Sequence, residues 1–168
     1  MKNTTLCYVE KDGAYLMLHR VKKENDVNAG KWVGVGGHFE EKESPFDCAV
    51  REIYEETGLA AAALCYRGVV SFVSDAYETE QMHLFTVPDF FGDDCFPRYE
   101  NGRVDTESCS EGNLAWVKKD EVFSLPLWEG DKVFLSLLDG DEPFFSLKLV
   151  YQGDTLVSAT LNGLPYSA

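Results

Sequence analysis

The sequence predicts an α/β fold: a three-layer α/β/α sandwich on a mixed β-sheet. Three observations predict it. Strand-like runs flank two amphipathic helices in mixed order instead of being segregated from them. One of those helices, within residues 44–58, carries both a start and a stop signal. The chain has 168 residues, 45% of them apolar, enough for one domain that buries about two thirds of its unfolded surface.

The elements follow in order. Residues 4–10 and 15–20 are strand-like, joined by Lys11-Asp12-Gly13, a turn with the Asp-Gly hairpin signal. Leu16 and Leu18 alternate with Met17 and His19, so one face is buried; His19 and Arg20 close the strand, the histidine read as structural. Residues 21–31 are a polar loop in which Lys22, Lys23 and Lys31 read first as solvated cations, with Lys23 the candidate for a phosphate contact. WVGVGG at 32–37 is a short strand entering a glycine turn, where a backbone can approach a ligand closely.

The next stretch organises the rest. Ser44 suits an N-cap, Pro45 the first helical position and Asp47 the positive helix end, while Gly58 supplies a left-handed stop. Phe46, Ala49, Val50 and Ile53 recur at helical spacing and are expected to face a core. Glu52, Glu55 and Glu56 fall in one arc beside that stripe. Like charges so placed repel. They are either a solvated acidic face or the oxygen ligands of a hard divalent cation, which sits between carboxylates and substrate phosphates.

Residues 65–74 and 81–88 read as strands across the polar loop 75–80. Residues 89–112 mix acids, glycines and a proline with neither helical nor strand period, a loop of about 20 residues that is either functional or mobile. A strand is expected at 111–117, a short helix from 118, a second amphipathic helix over 131–138, and a closing hairpin of 144–151 with 155–161.

Composition excludes several classes. A formal net charge of −14 argues against a nucleic-acid or anionic-membrane surface, though not against a phosphorylated small molecule, because a bound metal inverts the local sign. Cys7, Cys48, Cys65, Cys95 and Cys109 show no CxxC spacing, so neither a zinc site nor a full disulfide framework is indicated. The opening lacks a signal-peptide apolar core, and no run approaches the length of a membrane span. A reduced, soluble, cytoplasmic protein is expected.

The spacing Gly37, five residues, Glu43, seven residues, then Arg51-Glu52-Ile53-Tyr54-Glu55-Glu56-Thr57-Gly58-Leu59 resembles the signature of the Nudix hydrolases at every fixed position. The resemblance implies the Nudix fold over 1–168, with 89–112 an insertion, and Mg²⁺-dependent hydrolysis of a nucleoside diphosphate derivative. Mn²⁺ is able to substitute. It implies Glu52 and Glu56 as central metal ligands, Glu55 as a further ligand or the base, and Arg51 as the ion-pair partner that orients them. The Gly36 carbonyl would be another ligand and Glu43 a supporting group. Glu111 stands where relatives place another acid for metal or base duty, and a surface glutamate would read the same. His38 replaces a lysine common in relatives, which weakens any phosphate contact made there.

The resemblance reaches the C-terminal region, where LPLWEGDKVFL and the strands after it look like the MutT-type 8-oxo-dGTP diphosphatases. There a tryptophan stacks on the base and acids bind its edge. Trp128 and Asp131 match that tryptophan and one acid; Gly130 replaces a second acid and Val33 an asparagine. Trp128 also reads as a core aromatic opening the last helix, and Phe72 as core or pocket wall. The expected activity is cleavage of a nucleoside triphosphate, 8-oxo-dGTP-like, to monophosphate and pyrophosphate. ADP-ribose and dinucleoside polyphosphates are the alternatives, Tyr77 pointing faintly to the latter. A non-catalytic nucleotide-binding module would have degenerate glutamates, and these are intact.

Overall fold

The computed structural model of the protein describes residues 1–21, 28–106, 109 and 113–167. In order these form β1 (Lys2–Lys11), β2 (Ala14–His19), β3 (Trp32–Val33), α1 (Pro45–Thr57), β4 (Ala60–Ser74) and β5 (Glu80–Phe91). Then come β6 (Arg98–Glu100), β7 (Arg103–Asp105), β8 (Leu114–Lys118), a 3-10 turn at Val122–Ser124, α2 (Glu129–Leu138), β9 (Phe145–Gln152), β10 (Thr155–Leu161) and β11 (Leu164–Pro165).

One sheet runs β11-β10-β9-β4-β5-β1-β2-β8-β6-β7, with β3 paired to β2. It is mixed: β1 with β5 and β4 with β9 are parallel, while β1 with β2 and β4 with β5 are antiparallel. The two-residue period of each strand sorts its side chains to opposite faces. Tyr8, Met17, Leu84 and Leu147 join Phe134 and Leu135 of α2 in one core. Cys7, Val9, Leu16 and Phe85 join Ala49 and Ile53 of α1 in the other. The three layers follow directly.

Three expectations are corrected. Phe46 and Val50 are each 45% exposed, while Cys48, Ala49 and Ile53 are completely buried. Small residues let α1 lie close to the sheet and the glycine loop, so the buried face turns away from Phe46, which instead meets Tyr66 and Phe85 edge-on. The supposedly irregular 89–112 contains the end of β5 and the hairpin of β6 with β7, which extends the sheet through parallel pairing of β6 with β8. These strands are three residues each, too short for a period to register.

Lastly, Cys95 and Cys109 form a disulfide, where free thiols were expected. Cα atoms 14 residues apart in sequence lie 5.7 Å apart because the chain doubles back at the hairpin. Cys7 and Cys48 are free and buried, and Cys65 is free and exposed. Among the described residues no helix is long and apolar enough to cross a membrane.

Candidate active site

The site begins with how α1 is seated. Ser44 and Asp47 exchange hydrogen bonds at its start, Asp47 N–H to Ser44 Oγ at 3.1 Å and Ser44 N–H to Asp47 Oδ2 at 3.0 Å. Gly58 ends it at φ 75°, donating to the Tyr54 carbonyl. This fixes which residues of α1 meet the loop after β3.

That loop is strapped to β1. Val35 bridges Cys7, and the Thr5 amide donates to the Gly37 carbonyl at 2.9 Å. A Cβ on Gly36 would lie 2.0 Å from the Thr5 carbonyl oxygen, and one on Gly37 would lie 2.6 Å from the Glu52 carboxyl. Glycine is therefore required twice, once for backbone against backbone and once to leave room for a carboxylate.

The three glutamates of α1 are not equivalent. Glu52 has a side chain only 14% exposed, rests against Gly37, and lines a cleft of about 650 Å³. Glu56 lies one turn further on; one of its oxygens, Oε2, is buried and has no hydrogen-bond partner. Burial, and then the charge of Glu52, push the Glu56 carboxyl up to about 7, opposed by the Gly36 amide and by Arg20. Glu55, 55% exposed, reaches outward to Arg51 at 3.2 Å.

Arg51 ties the cluster together. Its Nε and Nη2 grip Glu43, its Nη1 donates to Glu52 at 2.7 Å, and Nη2 also donates to the His38 carbonyl at 3.0 Å. The Arg51 fork, helped by the Glu40 amide, holds Glu43 down at about 2.

Among the described residues no three His, Cys, Asp or Glu side chains stand close enough together to enclose a metal ion. The donor types nevertheless fit a hard divalent cation, being oxygen throughout. The partnerless Oε2 of Glu56, buried beside Glu52, is an acceptor that such an ion would satisfy.

The far end of the cleft is mixed: aromatic and aliphatic side chains stand beside Asp131 and, on the strand next to Phe72, Glu80. Trp128, Phe72, Val33, Met82 and Asp131 line it. Trp128 is the N-cap of α2 and only 5% exposed; its indole N–H donates to Asn28 Oδ1 at 2.8 Å, and the Lys31 ammonium lies 4.5 Å from its ring centre. Phe72 and Tyr151 both meet Trp128 edge-to-face. Asp131 is 7% exposed, and burial pushes its carboxyl up to about 8 despite the pull of Lys31. At Gly130 a Cβ would sit 2.5 Å from Leu149 and 2.6 Å from the Tyr151 hydroxyl, which accepts the Gly130 amide at 2.6 Å. The acid absent from position 130 has no room there.

One cleft thus brings together Gly36, Arg51, Glu52, Phe72, Trp128 and Asp131. Neither Glu56, with its buried Oε2, nor the exposed Glu55 lines it, while Lys23 and Glu111 lie outside the described residues. Sequence reasoning missed Arg20, which lines the cleft and acts electrostatically on Glu56, and it missed Asn28 and Tyr151. Arg20 looked like a strand end. Asn28 and Tyr151 carry no pattern at all, since their roles depend on partners about 100 and 21 residues away.

A family model described as the NUDIX domain matches residues 2–138. The chain is 29% identical over 140 residues to the mouse (Mus musculus) oxidized purine nucleoside triphosphate hydrolase, covering 83% of this chain and 82% of the relative. It is 28% identical over 141 residues to the uncharacterized Nudix hydrolase YvcI of Bacillus subtilis, covering 82% and 79%. Among solved structures, a MutT protein from Bacillus halodurans superposes with a TM-score of 0.77 at 26% identity, covering 98% of this chain and 100% of that one.

Proposed function

This chain belongs to the NUDIX domain family, and from that premise we propose that it is a Mg²⁺-dependent pyrophosphohydrolase that cleaves a nucleoside triphosphate to monophosphate and pyrophosphate. The observation that carries the reading is the continuity of one cleft from Arg20 and Glu52 to Trp128 and Asp131. An end with Arg20, Arg51 and Glu52 and an end with aromatic rings beside carboxylates suit a phosphate chain and a base.

The phosphoanhydride needs charge neutralisation and an activated water more than a covalent nucleophile. The ion, held by Glu52 and Glu56 with the Gly36 carbonyl and supported by Glu55 or Glu111, would neutralise the phosphates and acidify a water. Arg51 orients Glu52 and Glu55, bridging the two carboxylates through one nitrogen and offsetting their mutual repulsion. Arg20 and Lys23 contribute positive charge for the phosphate chain. A carboxylate of the cluster takes the water's proton.

At the base end Trp128 and Phe72 form the wall, and Asp131 reads the edge. An 8-oxo-purine triphosphate is the substrate we favour, because the mouse relative named for oxidized purine nucleoside triphosphates aligns over most of both chains. Val33 offers only hydrocarbon and Gly130 has no side chain, so discrimination by hydrogen bonds rests on fewer groups than a fully polar base site would use. Tyr77 and Lys2 also line the cleft, which favours a longer ligand such as a dinucleoside polyphosphate as the second reading.

Mg²⁺-dependent formation of nucleoside monophosphate from 8-oxo-dGTP, dGTP, a dinucleoside tetraphosphate and ADP-ribose tests both, the second product being pyrophosphate from the triphosphates, a nucleoside triphosphate from the dinucleotide and ribose 5-phosphate from ADP-ribose. Turnover of a triphosphate in preference to the others supports the proposal; preference for ADP-ribose or the dinucleotide replaces it. No Mg²⁺-dependent turnover of any of them overturns it.

A further inference from the structure

The turn between residues 28 and 31 touches the base end of the cleft at two points, and both are on one ring. Asn28 accepts the indole N–H of Trp128 at 2.8 Å, and Lys31 covers the same indole at 4.5 Å from its centre. The turn itself is pinned: the Lys31 amide donates to the Asn28 carbonyl at 2.9 Å and the Arg20 amide donates to the Lys31 carbonyl at 2.9 Å. The next residue, Trp32, donates its amide to the Pro126 carbonyl at 2.9 Å, joining the turn to the segment that carries Trp128.

We propose that Lys31 is a positioning residue for the nucleobase, its ammonium seated on the indole of Trp128 so that the wall of the cleft and the neighbouring Asp131 are held in the arrangement that receives a base. The inference rests on the nucleotide-hydrolase reading above. A cation over an indole face gains from the ring quadrupole and gains more where water is excluded. A tryptophan only 5% exposed meets that condition.

Lys31 also acts on Asp131. Among the described residues the groups that act on that carboxyl are Lys31 from the turn, Tyr8 from β1 and Tyr151 from β9, and of these Lys31 carries the positive charge. Its charge favours the carboxylate, the form that accepts a base N–H. Removing it keeps Asp131 protonated to higher pH.

The test compares wild type with Lys31→Met and Lys31→Arg. Exchange of the Trp128 indole proton, identified by its loss in Trp128→Phe, is followed by NMR without substrate. Kinetics with 8-oxo-dGTP, and with dGTP beside it, are followed from pH 6 to 9. Lys31→Met is expected to speed indole exchange and to raise KM about tenfold, the change carried by KM rather than kcat. Its KM profile shifts to higher pH, and Lys31→Arg restores all three readouts. Unchanged exchange in Lys31→Met overturns the proposal, as does a loss confined to kcat. Absence of turnover of both 8-oxo-dGTP and dGTP in wild type removes the substrate reading instead, and the exchange measurement then decides whether Lys31 holds the indole.

Discussion

Arg51 holds both oxygens of Glu43 at once, Nε to Oε2 at 2.7 Å and Nη2 to Oε1 at 2.9 Å. The same guanidinium reaches Glu52 and the His38 carbonyl. A planar fork with five donors can satisfy this set, and an ammonium cannot. Arg51→Lys should therefore lower activity by roughly ten- to a hundredfold, the range for groups that orient metal ligands. A Mg²⁺ titration of turnover, with circular dichroism as the control for folding, checks it.

The same pair has a signature in acid. Glu43 is held down at about 2 from an ordinary value of 4.5, so its contribution to stability is complete above about 4.5 and is lost as pH falls through about 2. Arg51→Lys should begin acid unfolding at a higher pH than wild type, read from denaturant melts across pH 2–5.

Glu56→Gln should remove at least about a hundredfold of turnover while the fold persists. Burial and the Glu52 charge raise this carboxyl to about 7. A raised carboxyl costs stability as pH climbs from the unfolded value near 4.5 to about 7, and the loss then levels. Without divalent ions, Glu56→Gln should be no less stable than wild type at pH 8, although it is inactive. Thermal melts with and without Mg²⁺ separate the two effects.

Gly130→Ala places a methyl group 2.5 Å from Leu149 and 2.6 Å from the Tyr151 hydroxyl. Overpacking of this kind typically costs about 1–3 kcal/mol. Tyr151→Phe removes one of the two obstacles, so the double variant should lose less than the sum of the singles, a coupling that a double-mutant cycle in urea measures directly.

Asp131, buried and raised to about 8 from 3.8, gives the protein its own pH slope. Below about 3.8 the acid is neutral folded or unfolded; between 3.8 and 8 only the unfolded chain ionises, so stability falls as pH rises through that window. Asp131→Asn should flatten the slope between pH 4 and 8 and weaken nucleotide binding. Urea midpoints at a series of pH values show the first and a KM measurement the second.

The sequence by itself determined the capped helix, the glycine loop before it and the spacing that places Arg51 and the glutamates on adjacent turns. These are local properties, because caps and helical periods act over a few residues. Tertiary structure decided which glutamate lines the cleft, which is buried and which reaches outward. That depended on how far α1 rolled over Cys48 and Ala49 against the sheet, and no run of residues states a roll angle. Long-range packing likewise set Trp128, a core ring that also lines the cleft, against Asn28 and Lys31 roughly a hundred residues earlier. It also filled the space beside Gly130 with Tyr151. Contacts between distant segments leave no period in the chain, which is why they became visible only once the sheet had brought them together.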